Sequence, residues 1–549
     1  MFVRKITLRK GARQYSYLKV VANSWQQGRA VQQTLVNLGN VENWPAEKLE
    51  ELIGVLTGFL EMDLVSLGNV RFGECRMLGP YLPLCRLWER LGLDGILAKL
   101  LSLRRVDMRA IGCAKAMVVS RLVDPASKKA VYESVGRDWE IPGVEPDCLP
   151  LAGYYRTLEY LCEHKCSIEK AIHAKLVHLF NQDVSVVFYD LTSACFEGRG
   201  PSMAKHGYSR DRRPDLVQIE IGLLVDAEGL PIGHEVFDGN VKDVTTVIGT
   251  LDRLQRDFGV KRCIFVGDDG MASEANLAQV AKRGYEYITS VSLGKSGVGR
   301  KLVDGARKVR DWAPIAENML LEPLGEIAGA RYIATYNPSR AAASREHRIA
   351  RLRRSIESLR ALQAPAKPRG RRRSADQLFA AANRLLVGKG CESVIRLERT
   401  QTGFEWSLDR DALRKAYRTD GMLVLVTNST TLSDAEVARG YRTLWRVEDA
   451  FRHIKDSIGL RPIRHWNDSR VLGHVFVCVL AYTLERLYER ELAKAGLDVS
   501  ARAALDELRS IVVASLQAGQ RRIRRRSEIT ARQRTLLAAA GVTEVPELW

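Results

Sequence analysis

The sequence predicts an α/β protein: a mixed-sheet core with a β-rich insertion, preceded by a small β-hairpin domain and a helical region. Three observations carry this. Apolar, β-branched runs such as Val184-Ser185-Val186-Val187-Phe188-Tyr189 and Cys263-Ile264-Phe265-Val266 read as buried strands. Apolar residues at three- and four-residue spacing fill the stretches beside them, as in Val247, Ile248, Leu251, Leu254 and Phe258. Between residues 294 and 440 the regularity breaks into isolated strand signals around a strongly basic helix. At 549 residues and 46% hydrophobic content the chain has ample material for packed cores, which excludes global disorder. Its 84 Lys and Arg against 65 Asp and Glu leave a net charge of +19, pointing to a polyanionic partner.

In chain order, residues 1–72 read as a hairpin and helix: 15–22 alternates, Gly28 punctuates, and Gly39-Asn40 marks a turn before a helical pattern. The opening residues carry cations but no apolar h-region, so no secretory signal is expected. Residues 73–180 keep a helical period throughout. Residues 181–293 form the first part of the core, with a strand ending at Asp190, strands at 217–225 and 230–237, a helix at 245–258, a strand at 262–266, a helix at 273–283 and a strand at 285–291. Three strands followed by strand–helix alternation is the order of a ribonuclease-H-like core.

Residues 294–436 read as an inserted domain with strands at 331–336, 393–399 and 422–427. Its segment 340–373 is dense in Lys and Arg, closes on Arg371, Arg372 and Arg373, and lacks interleaved aromatics, which suits backbone phosphates rather than base readout. Residues 437–498 supply the second part of the core, and 499–549 a helical basic tail containing Arg521, Arg522, Arg524, Arg525 and Arg526. The apolar run 471–484 is too short to span a bilayer and reads as a buried helix of a soluble, cytoplasmic protein. Ten dispersed cysteines fit reduced thiols rather than a disulfide framework. Cys162, His164 and Cys166 lack a second ligand pair, so packed thiols are expected there rather than zinc.

The chemistry is expected at three carboxylates. Asp190 and Asp268 each stand where an apolar strand stops, and strand ends are where open α/β sheets gather their sites. One Asp after a strand is usually a turn former. Two of them, in a basic chain without a nucleotide-binding glycine loop, suggest oxygen ligands for a hard divalent cation. The third should come from a helix on that sheet, and residues 441–455 supply Glu448. Leu444, Val447, Phe451, Ile454 and Ile458 make the core stripe of that helix. At 3.6 residues per turn Glu448 lies on the rim of the stripe while Asp449 faces outward, and Tyr441, Glu448 and Lys455, seven apart, line one edge.

On these residues the chain resembles the DDE transposases of bacterial insertion sequences, in the group with a ribonuclease-H-like catalytic domain, a β-rich insertion and a Y-x2-R-x3-E-x6-K signature. Here that signature reads Tyr441, Leu444, Glu448 and Lys455, so Leu444 stands where the group carries Arg, and neither Arg442 nor Arg446 shares its face. Tyr189-Asp190-Leu191-Thr192-Ser193 is similar to the first-aspartate strand, and Val266-Gly267-Asp268-Asp269-Gly270-Met271 to the second, which favours Asp268 over Asp269. The run Gly207-Tyr208-Ser209-Arg210-Asp211-Arg212-Arg213-Pro214-Asp215, Gly239-Asn240 and Gly473-His474 extend the resemblance to residues 150–490.

The resemblance implies that Asp190, Asp268 and Glu448 are catalytic and hold two Mg²⁺ (or Mn²⁺) ions per active site for cleavage at transposon ends and strand transfer. It implies DNA contacts from Tyr441, Lys455 and Arg452, with Arg371, Arg372 and Arg373 tracking backbone. Residues 73–180 are then the expected reader of the terminal inverted repeats. The partners expected are double-stranded DNA, both terminal repeats and target, and a second copy in a synaptic homodimer, with no membrane; the setting expected is the bacterial cytoplasm, at the nucleoid. Two other readings compete: a metal-dependent nuclease or resolvase on the same core without strand transfer, and a non-catalytic DNA-binding protein. The retained acids argue against the last, because three carboxylates repel DNA unless a cation stands between them.

Overall fold

The structure, a computed structural model, describes the chain apart from residues 1, 12, 27–28, 59–69, 103–108, 181–184, 212, 262, 269, 271–272, 292, 294–296, 306–307, 365–372, 390, 519–520 and 548–549. Arg371, Arg372 and Asp269 lie outside the described residues. Two compact units form, one from Met1–Cys75, Val513–Arg526 and Pro546–Trp549, the other from Arg76–Val512 and Ser527–Val545.

The first unit begins with an antiparallel three-stranded sheet, β1 (Phe2–Lys10), β2 (Arg13–Gln26) and β3 (Arg29–Asn40), followed by α1 (Ala46–Gly58). A second sheet, ordered β17-β16-β4, combines β4 (Val70–Met77), β16 (Val512–Ala518) and β17 (Arg521–Arg526). The arginine block expected in a helical tail is therefore a strand. As an edge strand it spreads Arg522, Arg524, Arg525 and Arg526 over both sheet faces, whereas a helix would stack like charges one turn apart.

The second unit opens with five helices, α2 (Tyr81–Arg90), α3 (Leu93–Ser102), α4 (Arg109–Val123), α5 (Lys128–Ser134) and α6 (Leu151–Phe180). The core follows as β5 (Val186–Cys195), β6 (Gln218–Val225), β7 (Pro231–Asp238), α7 (Asp243–Phe258), β8 (Ile264–Gly267), α8 (Glu274–Lys282) and β9 (Glu286–Val291). Next come α9 (Gly297–Gly305), β10 (Ala313–Ala316), β11 (Met319–Ile327), β12 (Ala330–Tyr336), α10 (Pro338–Gln363), α11 (Ala375–Lys389), β13 (Ile395–Thr400), β14 (Gly403–Leu408), α12 (Arg410–Thr419) and β15 (Met422–Thr427). The unit closes with α13 (Asp434–Arg442), α14 (Trp445–Arg452), α15 (Asp468–Lys494), α16 (Ala501–Leu508) and α17 (Ala531–Ala539).

This is a mixed α/β fold around one nine-stranded sheet, ordered β10-β11-β12-β15-β9-β8-β5-β6-β7. From β7 to β9 the order is that of a ribonuclease-H-like core: β5, β6 and β7 are antiparallel, and β8 and β9 run parallel to β5. The inserted residues divide their strands. β10, β11, β12 and β15 continue the core sheet beyond β9 in antiparallel fashion, while β13 and β14 form a separate hairpin packed with α10 and α11.

Alternation along the strands assigns the two sheet faces. Val187, Tyr189 and Leu191 of β5, with Phe265 of β8, bury against α7 and α8. The intervening residues, among them Asp190, therefore point to the other face, where α13, α14 and α15 pack. By length and composition α15 could cross a membrane, although the run within it looked too short in the sequence; 89% of its apolar window is buried in the protein, as in a core helix. None of the ten cysteines forms a disulfide, and Cys166 is exposed rather than packed beside Cys162.

Candidate active site

Register brings the two aspartates level. In the parallel β5–β8 pair Phe188 stands opposite Val266, so Asp190 and Asp268, each two residues further on, fall side by side on neighbouring strands. Adjacent strands lie about 4.8 Å apart. Asp268 is fixed just past β8 by its own turn: Oδ1 accepts the Gly270 N–H at 3.0 Å, and its carbonyl oxygen accepts from Thr289 Oγ1 at 3.1 Å. Asp190 Oδ1 accepts the Leu191 N–H at 2.7 Å.

Glu448 arrives from α14, which buries Val447, Ala450 and Phe451 and packs on β5 and β6 from the face that Asp190 points to. It lies in the first turn of that helix, where the macrodipole favours an anion. Burial and then the Asp268 carboxylate push Asp190 up to about 7; the Leu191 N–H and Arg210 pull the other way, and Glu448 adds to the rise.

Around the acids stands a frame of paired charges that was not foreseen. Arg210 Nη1 donates to Glu220 Oε2 at 2.6 Å, and Gln218 Nε2 donates to Glu220 Oε1 at 2.8 Å. The Arg210 N–H donates to Ser193 Oγ at 3.0 Å, which seats the loop on β5. A Glu inside the otherwise apolar run Ile219-Glu220-Ile221-Gly222-Leu223-Leu224-Val225 was the available signal, since a buried carboxylate demands a partner. Next along, Asp211 Oδ1 takes both Lys455 Nζ at 2.8 Å and Arg461 Nη1 at 3.0 Å. The loop carrying Arg461 is held from below: Arg121 Nη1 donates to Gly459 O at 3.0 Å, His474 Nε2 donates to Leu460 O at 3.2 Å, and His474 Nδ1 accepts from the buried Lys128 Nζ at 2.8 Å.

The helix expected to span 441–455 is broken. α13 ends after Tyr441 and Arg442, α14 restarts at Trp445, and residues His453–Ser457 form a π turn in which the Ile458 N–H donates to His453 O at 2.9 Å. Tyr441 therefore belongs to a different helix from Glu448, and the wider turn carries Lys455 away from a straight edge, into a buried pair with Asp211. Asp449 does not face outward: it is half-buried and lies 3.3 Å from Arg452 Nη1 and 3.7 Å from His453 Nε2, while Glu448 is the more exposed of the two. Arg452 is exposed one turn after Glu448, and Arg373 is exposed beside α11.

Chemically, the neighbouring carboxylates of Asp190 and Asp268 are oxygen donors of the kind a hard divalent cation takes. Among the described residues no group of three His, Cys, Asp or Glu side chains is placed to hold a metal ion, Asp190, Asp268 and Glu448 included.

Residues 183–484 match the family model described as "Transposase DDE domain". That span is more than half of the chain, and the chain belongs to this family of DDE transposases. No curated protein matches it. Among solved structures it is similar to the piggyBac transposase in a cryo-EM synaptic complex with hairpin DNA, at 9% identity and a TM-score of 0.39, over 78% of this chain and 79% of that one.

Proposed function

We propose that this transposase cleaves DNA phosphodiesters at the ends of a bacterial insertion sequence and joins the freed 3′ ends to target DNA, with Asp190, Asp268 and Glu448 as the catalytic acids. These acids would hold Mg²⁺ or Mn²⁺, two ions per site, which when bound supply an activated hydroxyl and charge stabilisation at phosphorus. The observation that carries the reading is the level register of Asp190 and Asp268 under the helix that bears Glu448.

The remaining residues orient DNA. Arg210, pinned by Glu220, keeps a positive charge beside Asp190, and Asp211 holds Lys455 and Arg461 close together as a cationic pair for a backbone phosphate. Arg452, exposed on the helix of Glu448, adds another phosphate contact, and Tyr441 and Arg371 to Arg373 are assigned to DNA on the signature and on charge. A homodimer follows from the need to bring two ends together.

The test is cleavage of a DNA substrate carrying the element's ends. Asp190→Asn, Asp268→Asn and Glu448→Gln should each leave end binding within about twofold and lower Mg²⁺-dependent cleavage by at least about 10³-fold, of the order seen when an essential transition-state group is removed. Wild-type cleavage in any one variant rejects that residue. Cleavage without joining would establish the nuclease reading instead.

A further inference from the structure

Where β9, β12 and β15 meet at one end of the sheet lies a cavity of about 700 Å³ with a mixed lining. Its place follows from the pairing: Gly267 stands opposite Thr289 on β9, and Leu293, four residues further, lines the cavity together with Tyr336 at the end of β12 and Met422 at the start of β15. Its volume falls in the range of about 300–1,000 Å³ typical of small-molecule sites.

The lining separates into two chemistries. Leu293, Val303, Val309 and Met422 form an apolar floor, the outer surface of the small core built on Trp312, Ala334 and Val424. Lys308, Arg345, Lys415 and Arg418 stand around it, and Asp304 is the one carboxylate among the lining residues, which leaves the cavity three positive charges in excess. Arg345 is partly committed, at 3.7 Å from Asp420 and with its guanidinium over the Tyr417 ring. Among the described residues Lys308, Lys415 and Arg418 make no ion pair. Tyr336 and Tyr417 complete the wall.

A bare phosphate would satisfy the cations and leave the floor wet; an apolar ligand would cover the floor and strand the cations. A planar heterocycle attached to a phosphate satisfies both, with the base on the floor and tyrosines and the phosphate among Lys308, Lys415 and Arg418. We propose that this cavity binds one nucleotide unit, a base with its phosphate, supplied either as a free nucleotide or by a nucleotide of a DNA strand drawn out of its stack.

The inference stands on this cavity alone and is tested without metal, so its failure is distinct from failure of the catalytic assignment. Calorimetric titration of the full chain in EDTA should show ATP and dAMP binding at least tenfold more tightly than inorganic phosphate if the source is free nucleotide. If the source is a strand, the mononucleotides will bind no better than phosphate, and a single-stranded oligonucleotide will bind instead. In either case Lys415→Glu and Arg418→Glu should each weaken the binding probe at least fivefold. Arg414→Glu, on the same helix but outside the lining, should not. Both substitutions fall on exposed side chains, and circular dichroism verifies their fold. Indifference of every probe to Lys415→Glu and Arg418→Glu, an equal loss in Arg414→Glu, or no binding of any probe overturns the proposal.

Discussion

At the scale of single residues the site is a negotiation between like charges. Asp190 is held near neutrality at about 7 by burial and the Asp268 carboxylate, and a cation arriving between them removes that conflict. Asp211 shows the converse, one carboxylate serving the buried Lys455 and the half-buried Arg461. Asp211→Asn should therefore cost about 3 kcal/mol in urea unfolding, because it leaves the buried Lys455 uncompensated while Arg461 keeps Asp456 at 2.8 Å; a loss below about 0.5 kcal/mol would show that solvent already screens Lys455. Residue identity was legible where strand period and charge agree, as at Asp190 and Asp268. It was not legible at Asp449, because a stripe on a helical wheel marks the buried face of one helix and carries no account of His453, beyond the end of α14, which lies against that carboxylate.

At the scale of elements, apolar runs gave the strand positions closely: the run of Leu and Val at 423–426 lies one residue inside each end of β15. β10, β11 and β14 escaped notice because they are short or half-exposed, so their side chains lack a clean alternation. The π turn after α14 has no sequence signal of its own, since it arises where that helix meets the loop bearing Arg461. One element contact makes a sharp prediction. Gly473 of α15 meets α6 so closely that a Cβ there would stand 2.1 Å from the Leu158 carbonyl oxygen. In a free-standing helix Gly→Ala stabilises by about 1 kcal/mol. Here Gly473→Ala should instead destabilise, by about 2 kcal/mol, as overpacking does; a raised thermal midpoint would contradict the close packing of α6 on α15.

At the scale of the whole molecule, the nine-stranded sheet carries Asp190 and Asp268 on adjacent inner strands, and β1 to β3 and β17 add exposed positive charge. That charge was legible from composition, whereas the proposed meeting of residues 190, 268 and 448 rests on the resemblance and the strand order, because nothing local in sequence encodes a contact across hundreds of residues. The most direct test of that meeting is Mn²⁺ occupancy, read by electron paramagnetic resonance on the purified protein with a DNA end. Wild type should take up two ions per chain; Asp190→Asn, Asp268→Asn and Glu448→Gln should each lose at least one, and Asp449→Asn none. Full occupancy in all three acid variants, or loss confined to Asp449→Asn, would show that these carboxylates do not share a site.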